Sequence, residues 1–197
     1  MQSKLLERLP TLQKLHGVRG SAKSEFFMGL GTIGLNLTDL VYGGYWCTPR
    51  NSVTFAHTGG DGTHFSYVIL DNELDDDSPI VMSCPANSED SCTIVGENLR
   101  DFLCLGFHCG YSVLEQLSYS PSSFDILKDP FDDEADEDAD SEFTDEFNGC
   151  LQHVISEFSL QPWDNWRSKL KALKQQYFDS LLMPFSDEVD RMIEDGR

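Results

Sequence analysis

The chain has 197 residues, with 34 Asp and Glu against 14 Lys and Arg for a formal net charge of −20. Its 40% hydrophobic fraction, with 13 Phe, six Tyr and three Trp, suffices for the core of one domain of ordinary to generous size. A mean hydropathy of −0.34 and the lack of an 18-residue apolar stretch argue against a membrane span. The apolar-leaning stretch from Phe26 to Tyr45 is broken by glycines and lies too far in for a secretory signal, so a soluble, cytoplasmic protein is expected.

Lys4 to Leu15 reads as a helix, with Leu5, Leu9 and Leu12 on one face, and Pro10 either kinks it or marks its start. Gly17–Ser24 reads as a basic turn and Glu25–Gly31 as a short buried piece. Ile33, Leu35 and Leu37 alternate with polar residues and glycine, which predicts an extended segment. Ser52–Ala56 and Thr63–Leu70 read as two strands of a hairpin joined by Thr58-Gly59-Gly60-Asp61-Gly62, where the glycines permit positive φ. Asp71–Asp77 is an acidic turn, Pro79–Cys84 a third strand, and Ala86–Ser91 a polar loop. Helices are predicted over Glu97–Leu103, ending near Gly106, and over Tyr111–Tyr119.

Lys128–Phe147 differs in kind. It holds 11 acids between Asp129 and Glu146, a density of like charge that predicts an exposed or disordered loop with Phe131, Phe143 and Phe147 as anchors at its ends. Helices follow over Cys150–Leu160 and Trp163–Leu182, the second with Trp166, Leu170, Leu173, Tyr177, Phe178 and Leu181 on one stripe, opened by Pro162 and ended by Pro184. The six cysteines (47, 84, 92, 104, 109 and 150) are expected to be reduced and mostly buried, because a chain of this size needs no covalent staples.

The charge is uneven. Residues 51–166 carry 25 acids and two basic residues, Arg100 and Lys128, a local balance of −23, whereas the first fifty residues are mildly basic. Such a field repels nucleic acid and anionic membranes and attracts basic proteins, chiefly by speeding encounter.

Several constellations invite chemistry. Thr58–Gly62 could cradle phosphate, but no helix or Lys-Ser/Thr follows and Asp61 sits inside it, so a tight turn with Asp61 bonded to its backbone is expected. His57 and His64 could stand side by side across the hairpin. With His108 and Cys109 they suggest zinc, yet no second short-spaced pair exists and no metal is expected. Cys104, His108 and Cys109 lack a nucleophile motif, and no catalysis is expected from them. A calcium loop from Glu134 to Asp145 has Ala139 where glycine is required, leaving weak divalent binding at most. Arg167, Lys169, Lys171 and Lys174 beside Trp163 and Trp166 read as the polar face of an amphipathic helix, paired internally with the acidic loop.

The stretch Trp46–Leu117 resembles the SUKH superfamily, which includes bacterial immunity proteins and fungal regulators of cell-wall synthesis. The resemblance rests on Tyr45-Trp46-Cys47-Thr48-Pro49, on Val53–Phe65 with its Gly59-Gly60-Asp61-Gly62 turn, on Pro79-Ile80-Val81, and on Asn98-Leu99-Arg100-Asp101-Phe102-Leu103. It implies a single α+β domain with a curved, mainly antiparallel sheet and helices packed around it. It also implies a binding module without catalytic residues or cofactor, most plausibly an immunity protein that neutralises a polymorphic toxin such as a nuclease. The expected partner-binding residues are Asp75, Asp76 and Asp77 with Asp132, Asp133, Glu134, Asp136, Glu137, Asp138 and Asp140, which would steer a basic toxin domain. The alternative is a regulatory or scaffold protein whose acidic insertion only solubilises it.

Overall fold

Pro10 opens a helix. Its missing N–H and fixed φ suit a helix start, and α1 runs Pro10–Ser21, through what the glycines and basic residues suggested was a turn. Leu9, Leu12 and Leu15 are fully buried, as their spacing requires. In the computed structural model, residues 5–21, 29–119 and 141–185 are described. A 3-10 turn, Gly29–Ile33, then leads into the sheet.

Five strands follow: β1 Asn36–Tyr42, β2 Ser52–His57, β3 His64–Val68, β4 Ile80–Ser83 and β5 Cys92–Gly96. All neighbours are antiparallel, in the sequential order β1-β2-β3-β4-β5. The expected hairpin is β2–β3, with His57 opposite His64 and Val53 opposite Tyr67. β5 was not foreseen. Cys92-Thr93-Ile94-Val95-Gly96 is too short to read by alternation alone, and its pairing with β4 is a tertiary gain.

Helices pack on both faces. On one face Val53, Phe55, Phe65, Tyr67, Ile80, Met82 and Val95 meet Leu99, Phe102 and Leu103 of α2 (Leu99–Leu105). Tyr111, a 3-10 turn at Ser112–Glu115 and α3 (Gln116–Tyr119) continue that layer. α4 (Ser141–Phe158) adds Phe147, Cys150, Leu151, Val154 and Phe158. Residues 141–147 are therefore helical, a correction to the expected loop. Their buried Phe147 supplies apolar surface that outweighs local like-charge repulsion, and Phe131 lies outside the described residues.

On the other face Val68, Val81, Cys92 and Ile94 are covered by Leu173 of α5 (Trp166–Tyr177) and by Leu181. This last helix begins at Asn165, whose side chain accepts from the Ser168 N–H, rather than at Pro162. Asn51 pins the following segment: its amide donates to the Ile69 and Ser180 carbonyls and accepts from the Leu182 N–H. The expected α+β architecture thus holds, as one antiparallel sheet with, among the described residues, five helices against it. All six cysteines are free thiols and five are buried. No helix among the described residues is long and apolar enough to cross a membrane.

Candidate functional site

Because α5 covers the β4–β5 half of the second sheet face, the β1–β2 half stays open. It forms a cleft of about 330 Å³ lined by Thr38 and Val41 of β1, Thr54 and His57 of β2, His64 of β3, Tyr45 and the glycines of the hairpin turn. Val41 and Tyr45 are 48% and 37% exposed, an apolar and aromatic pair lining the cleft that nothing described covers. The Thr38 hydroxyl is buried without a hydrogen-bond partner, a polar group that a ligand could satisfy.

The rim is rigid. Asp61 accepts from the Thr63 N–H and hydroxyl, both at 2.9 Å, and from the Thr58 hydroxyl at 3.2 Å, which closes the turn as expected. Gly62, at φ +82°, lets the Tyr45 ring lie against the turn, since a Cβ there would stand 2.8 Å from it. With a carboxylate facing the loop and β3 following, the turn is unsuited to phosphate.

His57 and His64 do stand opposite each other, but they play different parts. The His64 Nδ1–H donates to the Gly62 carbonyl at 2.7 Å, so Nε2 accepts from the Thr48 hydroxyl at 2.9 Å. Its ring stacks on Tyr45 with 5.4 Å between centroids. Burial pushes the imidazole below its ordinary value. Both nitrogens of this neutral ring are occupied, so it is a strut of the cleft rather than a base. Among the described residues no group of three His, Cys, Asp or Glu side chains could hold a metal ion.

Three of the buried thiols are poor nucleophiles. Burial pushes Cys109 up to about 12, its Sγ–H donates to the Gly110 carbonyl, and His108 is exposed with its ring edge-on to Phe107. Burial, then the neighbouring Cys92, likewise push Cys47 up to about 12, and burial alone does so for Cys150.

The acidic turn has work within the fold. Asp76 accepts from the Thr11 N–H at 3.0 Å and from its hydroxyl, capping α1 from sixty-five residues away. Asp75 accepts from the Asp77 N–H and the Ser78 hydroxyl, an Asx turn. Asp77 is exposed. Asp132, Asp133, Glu134, Asp136, Glu137, Asp138 and Asp140 lie outside the described residues, as does most of the calcium-loop candidate, whose Asp145 stands on α4.

One pair escaped the sequence reading: Asp61 and Glu115, fifty-four residues apart, share a hydrogen bond. That bond, then burial, push the Glu115 carboxyl up to about 7. Partial burial raises the Asp61 carboxyl, but bonds from Glu115 and Thr63 outweigh it and hold it down to about 2. Between pH values of about 2 and about 7 the pair therefore carries one proton between its two carboxyls. The stability owed to Glu115 is complete below its ordinary value of 4.5 and is lost as pH rises through about 7. That owed to Asp61 is present above 3.8 and lost as pH falls toward 2. Glu115→Gln keeps a donor without the titration. Thermal melts from pH 5 to 8 should show the native chain losing about 1–2 kcal/mol that the variant retains, allowing for solvent screening. Parallel pH profiles would refute the shared proton.

Compared with known proteins, the chain matches no family model, no curated protein and no solved structure.

Proposed function

We propose that the protein is a non-enzymatic binding module whose partner docks at the β1–β2 cleft, and that the partner is a basic protein. The observation that carries this reading is the open half of the second sheet face, where Val41 and Tyr45 stand exposed around a cleft. Aromatic anchors beside a polar depression are the surface that contributes most binding free energy in protein interfaces. The net charge of −20 favours a cationic partner through steering. The antiparallel sheet with packed helices is consistent with the SUKH resemblance, which gives the reading its specific form: an immunity protein occluding a toxin domain.

The test asks first whether a toxin-type domain is encoded beside this chain, whose absence would favour the scaffold reading; such a domain is then purified and titrated by biolayer interferometry. Tyr45→Ala with Val41→Asp should weaken binding at least about tenfold, mainly through dissociation. Replacing Asp132, Asp133, Glu134, Asp136, Glu137, Asp138 and Asp140 by Asn or Gln should slow association several-fold and flatten its salt dependence. An unchanged association rate would leave the acidic insertion as a solubilising element only. Unchanged affinity on altering Tyr45 and Val41 would remove the cleft from the interface.

A further inference from the structure

One surface runs against the sign of the whole molecule. Arg167, Lys171 and Lys174 follow one another on α5 at spacings of four and three, so a single helix face presents all three. They rim a groove of about 380 Å³ whose apolar lining is Trp166 and Leu170 of α5 and Leu117 of α3. Thr93 of the β5 edge strand forms its wall and Asp90 closes one end.

Four other cations are engaged within the fold. Lys14 pairs with Glu157, Arg50 lies over the Phe185 ring, Arg100 donates to the Phe158 and Ser159 carbonyls, and Lys169 pairs with Asp101. Two of the groove cations, Lys171 and Lys174, are held more loosely. Lys174 stands 3.5 Å from Asp90 in a pair whose side chains are 55% and 41% exposed, which costs little to exchange. Arg167 lies over Trp166, 4.8 Å from the ring centroid, and exposed Lys171 has no side-chain partner among the described residues.

We propose that this groove docks an acidic peptide segment of a partner protein. An aromatic or large aliphatic side chain of the segment rests on Trp166, Leu170 and Leu117, and its flanking carboxylates pair with Arg167, Lys171 and Lys174. Charge complementarity selects the ligand: the groove lining carries three cations and one carboxylate. At about 0.15 M salt the Debye length is roughly 8 Å, so a bound segment feels these lining charges more than charges farther away. Nucleic acid fits worse, because a phosphate chain longer than the helix face would run onto acidic surface. The site is separate from the β1–β2 cleft and does not depend on what binds there.

The experiment uses the full chain and a fluorescein-labelled short acidic peptide with one central tryptophan, read by polarisation at about 0.15 M salt. Saturable binding is expected, weakened about tenfold or more by Arg167→Glu with Lys171→Glu and by replacing the peptide tryptophan with alanine. Both substituted residues are exposed, so an unchanged melting temperature verifies folding. Equal binding by the charge-reversed protein, equal binding by a lysine-containing counterpart of the peptide, or no saturable binding would overturn the proposal. Binding that emerges only after the acids of residues 129–140 are neutralised would also overturn it, and would assign the groove to the chain's own acidic segment.

Discussion

Phe102→Ala should destabilise the protein by about 3–5 kcal/mol, enough to leave a domain of ordinary stability largely unfolded near physiological temperature. Phe102 is fully buried at the point where α2 meets the sheet. Its ring centroid lies 4.8 Å from that of Phe65, 5.1 Å from Tyr111 and 6.2 Å from Phe55. Truncation removes one ring's transfer free energy and leaves a cavity walled by three others. Those three belong to two strands and to the segment after α2, which cannot all collapse inward. Tyr111 is further fixed by its hydroxyl, which donates to the Leu103 carbonyl at 3.0 Å. Denaturant unfolding with an unchanged slope is the measurement. A loss under about 1 kcal/mol would mean that the layer relaxes freely around the hole. Phe102→Leu, which fills much of the volume, should recover a large part of the loss.

Asp101→Ala should cost about 2–4 kcal/mol, although the residue looks in the sequence like an ordinary polar helix position. One carboxylate oxygen accepts from the Trp163 indole N–H at 3.1 Å and from the Lys169 ammonium; the other accepts from the Glu97 N–H at 3.0 Å. Asn98 reciprocates by accepting from the Asp101 N–H at 2.9 Å, so the two side chains close the start of α2 together. Removing the carboxylate leaves a part-buried indole donor and an ammonium without their acceptor, and frees an end of α2. Lys169→Met alone should cost less, since the lysine is the more exposed partner and Trp163 and the cap remain. A double-mutant cycle for Asp101 and Lys169 should give a coupling of about 1 kcal/mol, and zero coupling would reduce Asp101 to a cap. Loss of this tie should also increase hydrogen exchange in α5 before the sheet is affected, since Trp163 and Lys169 join that helix region to α2.

The parts legible in the sequence are those governed by neighbours along the chain. Leu9, Leu12 and Leu15 fall on one face because their spacing is helical, and the β2–β3 hairpin follows from two alternating runs joined by a glycine-rich turn. The role of Asp61 in that turn was readable for the same reason, since its partners Thr58 and Thr63 are three and two residues away. Asp76 reads in the sequence as a partner-binding acid of a charged turn. Its partner Thr11 lies sixty-five residues off, and no local pattern distinguishes a remote helix cap from a solvated carboxylate. The stretch before Cys150 was misread because charge density was weighed without knowing that Phe147 would find a core.

The sequence by itself determined a strongly acidic middle, a central hairpin and an amphipathic C-terminal helix carrying basic residues, because composition and periodicity act at short range. Tertiary structure alone decided that this helix covers only half of the second sheet face. That placement leaves a cleft at β1–β2 and a basic groove beside β5. It also joined Glu115 to Asp61, and Trp163 and Lys169 to Asp101. The reason is physical: which apolar stripe covers which strand depends on shape complementarity between distant segments. Each open surface and shared proton then follows from what that packing leaves uncovered or brings within hydrogen-bond reach.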